Sequence, residues 1–269
     1  MTAAAAPPVL RACAVRVPCS TSNLGAGFDC LGLALDRYLD AGFEPRDGGL
    51  VVERSGTLAE LDVADGEDIL AKAFAAELRR RGAGDAGGAL LATSSIPVGR
   101  GLGSSAAAAV AGIALATAAT GDAFDRDAIL ASAVVLEGHP DNAAPAVFGG
   151  LVAVAFTEHS TPRAMHLELD AGIAFVYAAP SATVSTRRAR AALPQQVPHS
   201  AATRNHGRLA ALLWGLANGA RAAVAAGFND ELHVPYRLPL IPGGVEAIRA
   251  AVDAGAWAAT ISGSGSGII

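Results

Sequence analysis

No run of five or six basic residues occurs in the chain, and the formal net charge is −5. A surface for nucleic acid or for an anionic membrane is therefore not expected. The densest cationic cluster, Arg79 to Arg81 ahead of Gly82, reads as a helix C-terminus, where cations suit the dipole. Cysteine is scarce: Cys13, Cys19 and Cys30 all lie near the N-terminus. So odd and sparse a set is neither a disulfide framework nor a zinc site, and reads as small core residues in a reducing compartment. The opening "MTAAAAPPVLRA" has no basic leader segment and is broken by Pro7 and Pro8, so a secretory signal is not expected. The run from Ala106 to Ala119 is mostly alanine and falls short of the roughly twenty strongly apolar residues of a membrane span. No internal repeat is present. A soluble, cytoplasmic protein is the expectation.

What remains is a globular composition, 52% hydrophobic and 17% charged over 269 residues, enough for one large domain or two moderate ones. Strands are expected over Ala12–Val17, Leu50–Glu53, Ala89–Ser95, Gly149–Phe156, Gly172–Ala178 and Trp257–Ser262, from apolar and β-branched content between Gly, Pro or Ser. Helices are expected over Glu67–Arg81, Ser104–Ala119, Asp125–Glu137 (with Asp125 as N-cap), His206–Ala226 and the stretch "GGVEAIRAAVDAGA". Strands and helices alternate without a strict βαβ rhythm, so the fold class is α+β in two layers rather than a doubly wound sheet. The polar stretch "TEHSTPRAMH", Thr157 to His166, is the expected domain boundary.

Between the strand ending near Ser95 and the helix from Ser104 lies "PVGRGLGSS", with Gly99, Gly101 and Gly103. A helix N-terminus offers unpaired N–H groups and about half a positive charge. Glycine lets backbone approach a ligand and take positive φ. The N–H groups from Gly99 to Ser105 are thus expected to hold phosphate, with the Ser104 and Ser105 hydroxyls at the mouth. Two familiar phosphate loops are excluded. No lysine follows Gly103, and the glycine spacing is not G-x-G-x-x-G with an acid about twenty residues on.

Three more stretches gather small and polar residues. "VPCSTSNLGAGFDCLGLAL" (Val17–Leu35) carries Asn23 and Asp29, each of which alone could be a turn former. "LEGHPDNAAPAVFGG" (Leu136–Gly150) gathers Glu137, His139, Asp141 and Asn142 at an expected helix C-terminus. "ISGSGSG" (Ile261–Gly267) supplies a third small-residue loop with Gly263.

These stretches, in this order, resemble the GHMP kinases over nearly the whole chain. "IPVGRGLGSSAA" fits that family's phosphate-loop pattern at every position. Within the family the first and middle motifs are most similar to those of the homoserine kinases. "STRRARAALP", with Thr186 and Arg190, and "ELHVPYRLPLIPG", with His233 to Arg237, agree. The resemblance implies a two-domain GHMP kinase fold. A ribosomal-protein-like α+β domain over 1–160 would bind ATP, and a ferredoxin-like α/β-sandwich domain would follow over 161–269. It implies transfer of the γ-phosphoryl group of ATP to the side-chain hydroxyl of L-homoserine, giving O-phospho-L-homoserine in threonine biosynthesis, with Mg²⁺. It also implies a homodimer, as in many members.

Residue by residue, the resemblance carries ATP and phosphate binding onto Pro97, Val98, Gly99, Arg100, Gly101, Leu102, Gly103, Ser104, Ser105, Ala106 and Ala107. It carries Mg²⁺ ligation onto Ser105, or its neighbour Ser104, and Glu137, and catalytic roles onto Asp29, Glu137 and Asn142. Substrate contacts fall on Asn23, Asp29, His139, Asp141, Thr186, Arg190, Arg237 and Gly263. The substrate carboxylate calls for Arg190 and Arg237, which bind bidentately, and the ammonium for Asp141, with Asn23 and His139 nearby. For Asp29 at the hydroxyl, orientation is favoured over proton abstraction, since a carboxylate is a weak base for an alcohol. Other readings stand beside this one: a mevalonate- or sugar-type GHMP kinase, a non-catalytic sensor of this fold, or a plain nucleotide-binding module. Two departures are visible. Asp68 stands where the family's adenine-contacting helix usually begins with asparagine, and relatives continue past the third motif, so the C-terminal domain is expected to be incomplete at Ile269.

Overall fold

The computed structural model describes residues 8–158 and 160–269. The opening stretch 1–7 and His159 of the polar stretch lie outside the described residues. The chain begins with a long hairpin of β1 (Cys13–Asn23) and β2 (Gly27–Pro45). Then come β3 (Leu50–Gly56), α1 (Ile69–Arg80), β4 (Gly88–Ser94), α2 (Ser104–Thr120), α3 (Arg126–Glu137), α4 (Ala143–Phe148), β5 (Leu151–Phe156) and β6 (Pro162–Leu167). The α-helices after β6 are α5 (Thr186–Ala191), α6 (His199–Asn218), α7 (Arg221–Phe228), α8 (Val234–Arg237) and α9 (Gly244–Asp253), with irregular segments between them.

The sheet has six strands in the order β3-β4-β2-β5-β6, with β1 also paired to β2. Only β3 and β4 run parallel. β1 follows β2 along one edge, while β5 and β4 share the other, at residues 31–33 and 39–45 respectively. The β1–β2 register shifts between Pro18 and Cys19, where a proline in a strand is accommodated by an irregularity.

Helices α1 to α4 cover one face of this sheet. Their shared core includes Phe43, Phe74, Leu78, Leu90, Ile113 and Leu130. α2 is apolar all round and is buried all round, as such a helix must be. Its small residues permit that. A Cβ at Gly112 would sit 2.4 Å from the Leu70 carbonyl oxygen and 2.8 Å from the Phe74 nitrogen. A second core joins Leu24, Leu31 and Leu151 to Leu212, Leu216 and Phe228 of α6 and α7. A third, around Ile241, Ile261 and Ile268, underlies the chain's last segment.

The expected helices α1, α2, α3 and α9 are all present, and Asp125 caps α3 by accepting from the Asp127 and Ala128 N–H groups. Four expectations need correction. The helix expected over 206–226 is two helices, because Gly219 takes a left-handed φ of 63° and caps α6. Gly172–Ala178 is not a strand, since along its length only Ala178 finds a bridge partner, Ile268. Trp257–Ser262 is likewise no strand, its one bridge being Ile261 to Ile268. The first motif, read as small-residue loop, is mostly strand. Apart from these four, the polar stretch 157–166 contains the β5–β6 turn and most of β6.

The α1–α2 approach can be tested directly. Gly112→Val is expected to destabilise the protein by about 1–3 kcal/mol through overpacking, read as a lower urea midpoint. An unchanged midpoint would contradict the close contact with the α1 backbone.

Candidate active site

The glycine-rich loop leaves β4 and enters α2 with Gly99, Gly101 and Gly103 at φ of 69°, 77° and 62°. Gly103 is the N-cap of α2 and brings no side chain over the helix end, so the first N–H groups have no side-chain cap. Close packing explains two of the glycines. A Cβ at Gly101 would lie 2.1 Å from the Ser262 carbonyl oxygen, and one at Gly103 would lie 2.7 Å from the Ser20 hydroxyl. At Gly99 the nearest atom would be 3.6 Å away, so its positive φ is the reason for glycine there.

Hydrogen bonds stitch the loop to the other motifs. Ser262 Oγ donates to the Gly101 carbonyl at 2.6 Å, and the Ser20 N–H to the Leu102 carbonyl at 3.2 Å. Asn142 Nδ2 donates to the Ser20 carbonyl and hydroxyl, both at 3.0 Å, while its Oδ1 accepts from Ser22 Oγ at 3.1 Å. Asn23 Nδ2 donates to the Gly263 carbonyl at 2.9 Å. The Arg100 guanidinium donates to the carbonyls of Pro180 and Ser181, clamping the loop to that segment.

These motifs enclose a cavity of about 370 Å³. The expected residues Asn23, Asp29, Val98, Gly99, Arg100, Gly101, Gly103, Ser104, Ser105, His139, Asp141, Asn142, Thr186, Arg190 and Arg237 all line it. The others stand back. Leu102, Ala106 and Ala107 turn their side chains into the core, leaving only backbone to offer. Pro97 has no N–H and is outside the lining, as is Gly263. Glu137 stands behind Ser105, whose hydroxyl donates to it at 2.9 Å. Burial pushes the Glu137 carboxyl up from its ordinary range, against the pull of that hydrogen bond. Among the described residues no basic side chain pairs with it.

Asp29 holds a positive φ of 55°, rare outside glycine, and its N–H donates to Asn23 Oδ1 at 2.9 Å. Its two carboxylate oxygens accept from Arg190 Nη1 and Nη2, each at 2.9 Å, in a bidentate pair. Arg237 differs. It is 2% exposed, donates only to the Gly263 carbonyl at 3.4 Å, and its Nε has no partner among the described residues. Burial pulls its pKa down, with Asp29 opposing. His139 Nδ1 and Asp141 Oδ1 lie 2.7 Å apart, and the same oxygen accepts from the Asn142 N–H at 3.0 Å.

Sequence reasoning missed one wall of the cavity, formed by Leu58, Leu61, Val63 and Ile69 around Asp68. The stretch 58–63, where Glu60 and Asp62 interrupt the apolar residues, bears no motif that could have marked it. Asp68, the departure from the family pattern, caps α1 by accepting from the Leu70 and Ala71 N–H groups, and it also accepts from Arg54 Nε at 2.9 Å. Ser264 and Gly265 were also missed, although they lie within a quoted motif.

Comparison with known proteins decides the family. The family model for the GHMP kinases N terminal domain matches residues 69–150. The homoserine kinase of Thermus thermophilus is 40% identical over 250 residues, covering 93% of this chain and 83% of its own. That of Moorella thermoacetica is 42% identical over 258 residues, covering 95% and 86%. The chain belongs to the GHMP kinases, in their homoserine kinase branch. The crystal structure of homoserine kinase from Cytophaga hutchinsonii superposes with a TM-score of 0.82 at 30% identity, covering 96% of this chain and 84% of that one. The α+β GHMP kinase fold expected from the motifs is therefore present. Within this GHMP kinase, no helix among the described residues is long and apolar enough to cross a membrane.

The His139–Asp141 pair has a pH signature. The hydrogen bond with Asp141 raises the His139 pKa above 6.5, against burial. Burial works to raise Asp141, but His139, Ser22 and the Asn142 N–H outweigh it and hold it low. The histidine's contribution to stability is complete below its unfolded pKa and disappears as pH rises through the raised folded value. The aspartate's is complete above its unfolded pKa and disappears as pH falls through the lowered one. Asp141→Asn is expected to bring the His139 titration, followed by NMR of the imidazole ring protons, down toward 6.5. A titration that does not move would contradict the pair.

Proposed function

We propose that this chain phosphorylates the side-chain hydroxyl of L-homoserine with ATP, releasing ADP and O-phospho-L-homoserine, as a cytoplasmic step toward threonine. One observation carries the reading: a single cavity is lined both by an uncapped helix N-terminus and by a buried arginine that, among the described residues, has no carboxylate partner. The first suits a polyphosphate. The second suits the carboxylate of an amino acid.

In this reading the N–H groups from Gly99 to Ser105 cradle the phosphates, and Arg237 and Arg190 receive the α-carboxylate. Asp141, held by His139, accepts from the ammonium, beside Asn23 and Thr186. The hydroxyl oxygen forms a bond to the γ-phosphorus as the bond from that phosphorus to the bridging oxygen breaks. The hydroxyl proton leaves to phosphate or water. Asp29, its oxygens engaged by Arg190, orients the hydroxyl rather than taking its proton. Asn142, with both ends of its amide engaged by Ser20 and Ser22, acts as a positioning residue for the two motifs it joins. In a loose phosphoryl-transfer transition state, positioning and charge neutralisation dominate.

Mg²⁺ fits the residues present. A half-buried Glu137 with no basic partner, hydrogen-bonded to a loop serine, is a carboxylate that a cation would stabilise in its charged form. Ser105 and Glu137 would hold the ion. Among the described residues there is no cluster of three or more metal-ligating side chains, and Mg²⁺ commonly takes few protein ligands and keeps several waters. When bound it neutralises charge on the phosphates.

ADP release in a coupled assay, with L-homoserine, mevalonate and galactose compared side by side, is expected with L-homoserine alone. Turnover of mevalonate only would overturn the proposal, and ATP binding without turnover of any acceptor would favour a sensor. Glu137→Ala is expected to lower kcat by about a hundredfold or more while leaving the circular dichroism spectrum unchanged. A normal kcat would remove Glu137 from the site.

A further inference from the structure

Phe28 belongs to none of the contacts assigned so far. It directly precedes Asp29 and is half-buried. Its ring stacks on the imidazole of His233, with centroids 4.9 Å apart and planes 19° from parallel. The guanidinium carbon of Arg237 lies 5.0 Å from the centroid of the same ring, and that of Arg190 lies 6.0 Å from it. These three residues come from separate parts of the chain, α5, the loop before α8, and α8 itself, and meet on one aromatic side chain.

His233 is firmly placed. It is 0% exposed, its Nε2 lies 3.0 Å from the Gly25 carbonyl oxygen, and its backbone N–H donates to Asp230 at 2.7 Å. Burial lowers its pKa, against the pull of the nearby Asp230 carboxylate. The two arginines are a different matter, because like charges brought together repel. Arg190 has Asp29 to offset its charge. Arg237 has no carboxylate within ion-pair distance among the described residues, and its Nε is unpartnered. The electron-rich face of an aromatic ring attracts a guanidinium and gains strength where water is excluded. It also leaves the in-plane N–H donors free, which a carboxylate partner would not.

The geometry points to Phe28 as a positioning residue for the acceptor: its ring, braced by His233, seats Arg237 and Arg190 together as the receptor for a substrate α-carboxylate. This rests on the reading of the acceptor as an amino acid. Phe28 then governs the KM for the amino acid and leaves that for ATP alone. A side chain of similar bulk without a π face fills the space and loses the attraction.

Steady-state kinetics on the full chain test this. Phe28→Leu is expected to raise the KM for L-homoserine about tenfold, equivalent to about 1.4 kcal/mol, with kcat and the KM for ATP within about twofold of the parent. Phe28→Tyr, which keeps the π face, restores the parent KM. Replacing Phe28 with mono-, di- and trifluorophenylalanine keeps the ring's shape while draining its face of negative charge, so it remains informative if the leucine variant does not fold. The KM for L-homoserine should climb step by step through that series. An active parent with a flat fluorinated series overturns this inference alone. A parent that does not phosphorylate L-homoserine overturns the proposed function first, and the receptor with it.

Discussion

Where the glycine-rich loop meets its neighbours, a side chain at Gly101 would sit 2.1 Å from the Ser262 carbonyl oxygen, and one at Gly103 2.8 Å from the Asn142 amide nitrogen. Backbone packed that closely has no room for water, so each polar group there must find a protein partner or bear its full desolvation penalty. Ser20, Ser22, Asn23, Asn142 and Ser262 supply those partners, and each lies in a different motif from the one it bonds. The result is a cross-linked set of motifs rather than motifs that merely adjoin. Satisfied networks of this kind specify one geometry, because any member displaced leaves another unpaired. The cavity's shape depends on that rigidity, since its lining comes from the first, second and third motifs at once.

Charge is distributed across the cavity with the same economy of partners. At the loop end, the N-terminus of α2 contributes partial positive charge, and Glu137 stands behind Ser105 as the nearby anion. At the other end two arginines face two aspartates, and the pairing is unequal. Arg190 and Asp29 satisfy each other, and His139 and Asp141 satisfy each other, which leaves Arg237 over. In the proposed function, that remainder is the group a substrate carboxylate would meet. If Arg237 also had its own carboxylate, the same pocket would be electrostatically closed.

Much of this could be read before any coordinates. Asp125 at the start of α3 and Gly82 just after α1 carry their signals in their own chemistry, as a side-chain acceptor and a left-handed glycine. The long helix failed for a physical reason. Gly207, Gly215 and Gly219 look alike in sequence, yet Gly215 is helical because Ala223 and Val224 of α7 pack against it, while only Gly219 turns left-handed. The stretch 27–35 hid a strand because its small residues show no alternation, and β2 there is held by pairing to β1 and β5 instead. Gly172–Ala178 has strand composition without a strand partner along its length. In the site, residue types with strong chemistry in tight spacing were visible. Which of them pair was not. That Arg190 takes Asp29 while Arg237 is left to an aromatic ring depends on how α5 and α8 are placed, and spacing along the chain does not encode it.

That difference between the two arginines bears on selectivity. An exposed arginine loses little when its partner is missing, because water replaces it. Arg237 is 2% exposed and has no such recourse. A bound alcohol lacking a carboxylate would leave its guanidinium desolvated and unpaired, whereas one bearing a carboxylate would supply the partner that Arg237 lacks among the described residues. Sites that hold a buried group awaiting its partner reject analogues more strongly than apolar pockets can, since the penalty falls on the protein as well as on the ligand. If the proposed function and the role inferred for Phe28 hold, selection among alcohols is made at the end of the substrate that does not react, by Arg237, rather than by the glycine-rich loop.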